Sequence, residues 1–178
     1  MHVVPTEIPG VVILEPKVFG DDRGFFFESF NARTFAAAVG TDVMFVQDNH
    51  SRSRRGVLRG LHYQVERPQG KLVRVVAGAI FDVAVDIRPG SPTFGRWTRV
   101  ELSADNKRQI WVPPGLAHGF VVQSETAEVL YKTTDYYAPE HERTLRWDDP
   151  DLAIDWGLTE PPLVSEKDAR GHAFAALP

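Results

Sequence analysis

Short runs of β-branched and aromatic residues, each closed by Gly, Pro, Asp or Ser, constrain the fold of this chain more than any other feature. Eight runs follow one another: VVILEPKVF, MFVQDN, VLRGLHYQV, KLVRVVAGAIFDVAVDI, RWTRVELS, RQIWVPP, GFVVQS and AEVLYKTTDYY. Strands have this length and composition, and turn residues end them. Because no long helical pattern lies between the runs, the sequence predicts an all-β fold, a β-sandwich or small barrel of jelly-roll type.

A few short helices and one tight bend complete the predicted organisation. The segment Ala32–Ala38 follows Asn31, a residue type that caps helices well, and a second helix is expected to begin near Ser165. The small residues Ala77-Gly78-Ala79 predict a hairpin bend that leads the chain into Ile80–Ile87.

We expect residues 1–178 to form one domain, because no linker, internal repeat or low-complexity tract divides them. The tail after about Trp147 differs from the rest of the chain. Its prolines Pro150, Pro161 and Pro162 predict an irregular wrap rather than a second domain.

Composition excludes several classes of function. The chain has no cysteine, which excludes disulfides, thiolate metal sites and cysteine nucleophiles. Its net charge of −4 argues against a nucleic-acid partner and leaves an anionic small ligand in a local basic pocket as an option. No apolar run approaches the roughly 20 residues that span a bilayer, and the segment MHVVPTEIPG lacks a signal core. We therefore expect no membrane partner and a cytoplasmic location.

An arginine and a histidine stand in the apolar run GVLRGLHYQ, residues 56–64. Arg59 and His62 are three positions apart, so a regular strand would point them to opposite faces. A bulge or bend near Gly60 would instead bring both side chains into one cavity. Taken alone, His62 has two interpretations: a hydrogen-bonded core histidine, or a cavity residue that handles a proton beside an anion.

A second histidine follows a turn in WVPPGLAHGFVV. The pattern Pro-x-Gly-x-x-His, from Pro113 to His118, resembles one of the two signatures of the cupin superfamily. Cupins often hold a metal through a His-x-His pair in the other signature, but the corresponding segment here is His62-Tyr63-Gln64. Two histidines leave a divalent metal short of ligands, so we predict no metal. Both histidines are then expected to act as acids, bases or hydrogen-bond partners.

Three further polar residues lie within strand-like runs. Lys71 shares a face with Val73 and Val75 by period-two alternation, and its alternative role is an edge lysine that prevents aggregation. Tyr131 falls in the segment 128–137, where tyrosines are often half-buried packing residues. Asp82 interrupts the apolar run 80–85, so either it faces the lumen or the strand assignment is wrong.

Several segments have an order and spacing that resemble a known family. They are VFGDDRGFFFESFN, FVQDNHS, GVLRGLHYQ, PQGKLVRVVAGAIFDVAVDIR, PPGLAHGF, LYKTTDYYAPEHE and SEKDARG. From about Val3 to about Gly171 the chain resembles the dTDP-4-dehydrorhamnose 3,5-epimerase family. The resemblance implies a cupin jelly roll that works as a homodimer without metal or other cofactor. It also implies the substrate dTDP-4-dehydro-6-deoxy-D-glucose, inverted at C3 and C5 to dTDP-4-dehydro-L-rhamnose for dTDP-L-rhamnose synthesis.

The resemblance assigns roles to the polar residues already described. His62 resembles the base, with Asp168 as its orienting carboxylate, and Tyr131 resembles the general acid. Lys71 would stabilise charge on the C4 oxygen, since C3 and C5 both flank the C4 ketone and each can lose a proton to give an enolate. His118 would contact the sugar or phosphate, with Asp82 behind it.

The resemblance also implies a set of substrate-binding residues. Arg23 and Arg59 match pyrophosphate ligands, which suits the planar donor fork of arginine. Aromatic residues match the thymine slot, and other polar residues match further contacts to the ligand. These are Phe19, Phe26 and Tyr137 for the thymine, Glu28, Gln47 and Asn49 for the base and deoxyribose, and Glu142 and Lys167. In the family the N-terminal strands cross to the neighbouring subunit, so Arg23 and Glu28 are expected to serve the partner's site.

Three alternatives to the double epimerase stay open. An epimerase that acts at C5 only or at C3 only shares most of these motifs, although Tyr131 and the segment YKTTDYY favour the double epimerase. A metal-dependent cupin enzyme is disfavoured by the missing second histidine. A non-catalytic sugar-binding cupin would have no need of an acid and a base.

Overall fold

Strands are the main regular structure of the chain in the computed structural model, which describes residues 1–177. The strands are β1 (His2–Pro5), β2 (Val12–Glu15), β3 (Phe19–Asp21), β4 (Gly24–Phe26), β5 (Gln47–Arg54), β6 (Leu58–Gln64), β7 (Lys71–Ala77), β8 (Ala79–Asp86), β9 (Trp97–Ser103), β10 (Gln109–Val112), β11 (Leu116–Val122), β12 (Thr126–Thr133) and β13 (Glu142–Thr144). The helices are α1 (Ala32–Val39), α2 (Glu166–Ala169) and a 3₁₀ helix, Phe174–Ala176. The prediction of an all-β chain with a few short helices is confirmed.

Two antiparallel sheets pack face to face. The order in the six-stranded sheet is β1-β2-β10-β7-β12-β5, and in the five-stranded sheet it is β13-β6-β11-β8-β9. The third sheet is the small hairpin of β3 and β4. Buried side chains from both large sheets form the core between them, among them Val73, Val75, Ile80, Ala84, Ile110, Phe120, Val122 and Val129. This is a β-sandwich whose two inner faces share one apolar core.

The outer faces of the two sheets have different covers. On the five-stranded sheet, Val83, Val85 and Val121 pack against Leu152 and Trp156, which belong to the strand-poor tail after residue 147. On the six-stranded sheet, α1 contributes Phe35, whose ring lies 5.2 Å from that of Trp111 in an edge-to-face contact. The tail therefore lies against the outer face of the five-stranded sheet.

Both predicted helices are present, and the first has the predicted cap. The side chain of Asn31 accepts hydrogen bonds from the amides of Arg33 and Thr34, and α1 ends at Gly40 in the left-handed conformation. The side chain of Ser165 accepts a hydrogen bond from the amide of Asp168 in α2. None of the helices in residues 1–177 combines the length and the apolar character that crossing a membrane requires.

The bend at residues 77–79 is not the predicted hairpin. Strand β7 pairs with β10 and β12, whereas β8 pairs with β9 and β11 in the other large sheet. Gly78 has a φ of +73°, and a Cβ there would lie 2.0 Å from the backbone oxygen of Thr126. The prediction was wrong because period-two alternation identifies strands but does not say whether consecutive strands pair. Gly78 instead turns the chain from one sheet to the other.

Candidate active site

A polar cavity of about 340 Å³ opens between the two sheets. Its volume lies within the range usual for small-molecule sites. Strands β5, β6, β7, β11 and β12 contribute most of its wall. The rest of the wall comes from the turn before β7, the turn after β12, β13 and α2. The lining residues are Gln47, Asn49, Ser51, Arg59, His62, Gln69, Lys71, His118, Gly119, Phe120, Tyr131, Tyr137, Glu142 and Lys167.

Strand pairing places the residues of the six-stranded sheet in rows across the cavity wall. Tyr131 stands opposite Asn49 on one neighbouring strand and Val73 on the other, and Thr133 stands opposite Gln47 and Lys71. Residues directly opposite in an antiparallel pair share a face. Lys71 therefore points inward with Val73, as alternation predicts. Since β7 lies between β10 and β12, the alternative of an edge lysine is wrong.

A bulge at Gly60 directs Arg59 and His62 into the same cavity. His62 pairs with His118 and Arg59 pairs with Phe120, so β6 carries one residue more than β11 over this stretch. Gly60 has a φ of +125°, and a Cβ on it would lie 2.5 Å from the Cα of Gly119. Only glycine fits this conformation and this contact. The bulge predicted from the spacing of Arg59 and His62 is confirmed.

The imidazole of His62 contacts a buried carboxylate. Its Nε2 lies 2.6 Å from Oδ1 of Asp168, a residue that is 3% exposed. Burial disfavours the charged form of Asp168, but the hydrogen bond and the charge of His62 outweigh it, so the pKa of this carboxyl lies below its ordinary value. A carboxylate in this position fixes the orientation and the tautomer of an imidazole.

A second histidine–carboxylate pair lies on the neighbouring strands β11 and β8. Nε2 of His118 is 2.9 Å from Oδ2 and 3.0 Å from Oδ1 of Asp82, which has no exposed surface. Asp82 alternates with Ile80 and Ala84, both of which belong to the core between the sheets. Asp82 therefore belongs to the strand and faces the interior between the sheets, where it contacts His118. Its role as an orienting residue stays a prediction.

Lys71 is a buried cation with a strongly perturbed pKa. Burial lowers the pKa of its ammonium from 10.5 to about 8, although the charges of Glu142 and Asp82 oppose the change. Its Nζ donates to the backbone oxygen of His62 at 3.4 Å, and no carboxylate lies within ion-pair distance among residues 1–177. The ammonium is therefore available to an oxyanion in the cavity.

Tyr131 brings a phenol to the same cavity. Burial raises the pKa of Tyr131, Glu142 raises it further, and Arg59 acts in the opposite direction. A phenol with a raised pKa keeps its proton at neutral pH, so it can donate one.

Glu142 connects Tyr137 and Lys167, two further polar residues that line the cavity. Its Oε2 accepts hydrogen bonds from the Tyr137 hydroxyl at 2.9 Å and from Nζ of Lys167 at 2.5 Å. Burial alone would raise the pKa of Glu142, but these two hydrogen bonds and the charge of His62 lower it overall. The bond to Glu142 and partial burial raise the pKa of Tyr137.

A model of one protein family matches residues 5–176, and its description is dTDP-4-dehydrorhamnose 3,5-epimerase. The match covers nearly the whole chain.

The chain belongs to the dTDP-4-dehydrorhamnose 3,5-epimerase family.

Individual relatives agree with this family, and as its member the chain is an epimerase. The dTDP-4-dehydrorhamnose 3,5-epimerase of Pseudomonas aeruginosa is 67% identical over 98% of this chain and 97% of the relative. The same enzyme of Escherichia coli K12 is 59% identical over 96% of this chain and 92% of the relative.

Solved structures of epimerases share the fold. The Legionella pneumophila dTDP-6-deoxy-D-glucose-3,5-epimerase, in complex with dTDP-4-keto-L-rhamnose, matches with a TM-score of 0.97 and 54% identity over 99% of this chain and 94% of that one. A 3'-monoepimerase from Streptomyces bikiniensis, in complex with dTDP-quinovose, matches with a TM-score of 0.91 and 38% identity over 98% and 88% of the chains. The predicted cupin-like jelly-roll sandwich is thereby confirmed.

Four predicted residues of this epimerase lie away from the cavity of their own chain. Phe19, Arg23 and Phe26 belong to the exposed hairpin of β3 and β4, and Glu28 follows it. Nη2 of Arg23 is 2.5 Å from Oδ2 of Asp21, while the arginine side chain remains 90% exposed. A single chain therefore does not bring these four residues to the other predicted site residues.

Four residues of the epimerase cavity were missed by sequence reasoning: Ser51, Gln69, Gly119 and Phe120. Ser51 could have been found, because Gln47, Asn49 and Ser51 alternate along β5 and so share its inner face. The Oγ of Ser51 is buried without a hydrogen-bond partner among residues 1–177. Gln69 donates to the backbone oxygen of Asp135, which ties it to the turn before Tyr137. No spacing pattern in the sequence indicates that contact.

Proposed function

We propose that this epimerase inverts C3 and C5 of dTDP-4-dehydro-6-deoxy-D-glucose and releases dTDP-4-dehydro-L-rhamnose. The proposal rests on one observation: a histidine backed by a carboxylate, a buried ammonium and a protonated phenol line one cavity in a member of this family. These groups are the base, the oxyanion partner and the acid that proton transfer beside a ketone requires.

His62 is the proposed base. The C4 ketone acidifies the hydrogens on C3 and C5, and imidazole is the side chain that most often accepts such a proton in enzyme active sites. The contact of 2.6 Å with Asp168 supports this role, because the carboxylate stabilises the imidazolium that proton abstraction creates.

Lys71 is the proposed partner of the enolate oxygen. Negative charge develops on the C4 oxygen as the proton leaves, and a positioned cation in a dry cavity stabilises that charge more than water does. With a pKa of about 8, Lys71 is mostly protonated at pH 7.

Tyr131 is the proposed acid. Inversion requires a proton to arrive on the face opposite to the base. The phenol of Tyr131 stands on the six-stranded sheet, whereas His62 stands on the five-stranded sheet, and both line the cavity. This separation suits delivery from the opposite face.

The remaining polar groups are proposed to hold the nucleotide and the sugar. Arg59, whose Nε donates to Ser53 at 3.1 Å, suits the pyrophosphate. Nε2 of Gln47 donates to Oδ1 of Asn49 at 3.0 Å, which orients both amides on the cavity wall for the base and deoxyribose. The other proposed contacts are His118 with Asp82 behind it, Tyr137, Glu142 and Lys167.

A homodimer is proposed to complete the site. The hairpin bearing Phe19, Arg23 and Phe26 exposes three large aromatic side chains, at 54% for Phe19, 62% for Phe25 and 72% for Phe26. Exposed aromatic surface beside a cation suits contact with a second copy and its anionic ligand. We propose that the hairpin and Glu28 serve the partner's cavity. We further propose that the chain works as one domain in the cytoplasm, without metal or other cofactor and without a nucleic-acid partner.

Deuterium incorporation tests the proposed reaction. In D₂O the wild-type protein is expected to place deuterium at both C3 and C5, as read by proton NMR of the product. His62→Asn is expected to slow both exchanges by at least about 10²-fold. Exchange at one carbon only would favour a single-site epimerase, the activity named for the Streptomyces bikiniensis neighbour. Binding without exchange would identify a sugar-binding protein, and stoichiometric iron or manganese in active protein would support metal-dependent chemistry.

A further inference from the structure

The proposed orienting carboxylate lies outside both large sheets. Asp168 belongs to α2, a single turn that is too short to be stable alone. Two isolated bridges hold the segment 163–172 that contains it: Leu163 bridges to Val57, and His172 bridges to Leu145. The position of Asp168 therefore depends on how firmly these two ends are attached.

Tyr63 strengthens the attachment at His172. Strand alternation points His62 into the cavity and its neighbour Tyr63 to the outer face of the five-stranded sheet. There Tyr63 packs against the same apolar cluster as Leu152 and Trp156 of the tail. The Tyr63 hydroxyl lies 2.8 Å from Nε2 of His172, and the two rings meet edge to face with centroids 5.9 Å apart.

The hydrogen bond has a defined direction. Nδ1 of His172 is 3.1 Å from the backbone oxygen of Ala173, a pure acceptor, so Nδ1 carries the ring hydrogen. Nε2 of the neutral ring is then an acceptor, and the Tyr63 hydroxyl donates to it. Burial raises the pKa of Tyr63, which keeps the donor protonated.

Adjacent residues of β6 thus contact two points of the same segment. His62 contacts Asp168 on the cavity side, and Tyr63 contacts His172 on the outer side. Between these points Gly171 packs so closely that a Cβ would lie 2.6 Å from the amide nitrogen of Arg146. We propose that Tyr63 and His172 are positioning residues that fix the Asp168 carboxylate against His62. The inference rests on the proposed function.

Tyr63→Phe tests the inference with two independent readouts. Loss of one hydrogen bond corresponds to a factor of about five in a local equilibrium. The amides of Arg146 and His172, which donate across the bridge, are expected to exchange with D₂O about fivefold faster, while amides of β8 and β11 exchange as in the wild type. kcat is expected to fall about fivefold with KM within about twofold, because the nucleotide contacts are unchanged.

Two further variants make the test specific. His172→Phe is expected to reproduce both effects, and the double variant is expected to add nothing to either single one. Tyr136→Phe is the matched control, because the hydroxyl of this exposed tyrosine has no hydrogen-bond partner among residues 1–177. Its amide exchange, kcat and KM are expected to equal those of the wild type.

Two results would overturn the inference. Unchanged amide exchange in Tyr63→Phe would show that the hydrogen bond does not hold the segment. Faster exchange with unchanged kcat would show that it holds the segment without positioning the carboxylate. Amide exchange needs no turnover, so failure of the proposed reaction in the wild type is distinguishable from failure of the attachment.

Discussion

Replacing Lys71 with methionine is expected to stabilise the folded chain while it removes most of the activity. Lys71 is 9% exposed, and its ammonium contacts a backbone oxygen at 3.4 Å rather than a carboxylate. A buried charge without a paired partner costs stability, and methionine fills a similar volume without charge. The loss of activity follows from the proposed role of Lys71 at the enolate oxygen.

The size of the stabilisation follows from the pKa of Lys71, which is 10.5 in the unfolded chain and about 8 in the folded chain. At about 1.4 kcal/mol for each pH unit, burial of the ammonium costs about 3 kcal/mol at neutral pH. Below pH 8 both states bind the proton, so the cost is complete. Between pH 8 and 10.5 the unfolded chain binds more protons, so wild-type stability rises with pH until the cost disappears.

Denaturant unfolding at about pH 7, 8.5 and 10 measures the effect, because these values span the range in which Lys71 loses its proton. Lys71→Met is expected to be more stable than the wild type by up to about 3 kcal/mol at pH 7, with a difference that shrinks as pH rises. kcat is expected to fall by about 10²–10³-fold. Lys132→Met is the matched control, because Lys132 pairs with Asp48 at 2.9 Å on the outer face.

A Lys71→Met variant that is less stable than the wild type at neutral pH would refute the reasoning. A stability difference that does not change with pH would refute it equally. Either result would mean that the ammonium is compensated within the protein and is not available to the substrate.

Three further predictions concern the site and its framework. Asp168→Asn is expected to lower kcat by at least about 10²-fold with little change in KM. The pKa of Asp168 in the folded chain lies below 3.8, so its contribution to stability is present above pH 3.8 and is lost as the pH falls through the lowered value. The free energy of unfolding of Asp168→Asn, measured with denaturant, is therefore expected to fall less steeply with acidification than that of the wild type. Denaturant unfolding of Gly60→Ala is expected to show a free energy of unfolding about 3 kcal/mol lower than that of the wild type, because of the positive φ and the contact with Gly119. Wild-type stability in this variant would contradict the bulge geometry. Arg23→Ala and His62→Asn are each expected to be nearly inactive alone. Co-expression is expected to restore activity, because in the mixed dimer one cavity keeps its own His62 and receives Arg23 from the other subunit. Absence of recovery would argue against a hairpin that serves the partner.

Much of the fold follows from residue patterns, because alternation and turn residues are local features. The inward face of Lys71 and the bulge at Gly60 were both predictable from spacing of one to three residues. Which strands pair is decided by distant parts of the chain, and for that reason the corner at Gly78 was mistaken for a hairpin.

The candidate site was predictable to a different extent at each residue. His62 and His118 stand out as histidines in apolar runs, and the structure makes them partners on adjacent strands. Asp168 comes from a turn far along the chain, so only the family resemblance could connect it with His62. Ser51 has an ordinary local pattern, and its unpartnered hydroxyl is a property of the three-dimensional packing.

The central claim is that His62 removes protons from one face and Tyr131 returns them to the other. The most direct test is the reaction of Tyr131→Phe in D₂O, followed by NMR of the configuration and deuterium content at C3 and C5. We expect deuterium to enter with the original configuration retained, because the base remains while the acid is lost. Inversion at the wild-type rate would contradict the account.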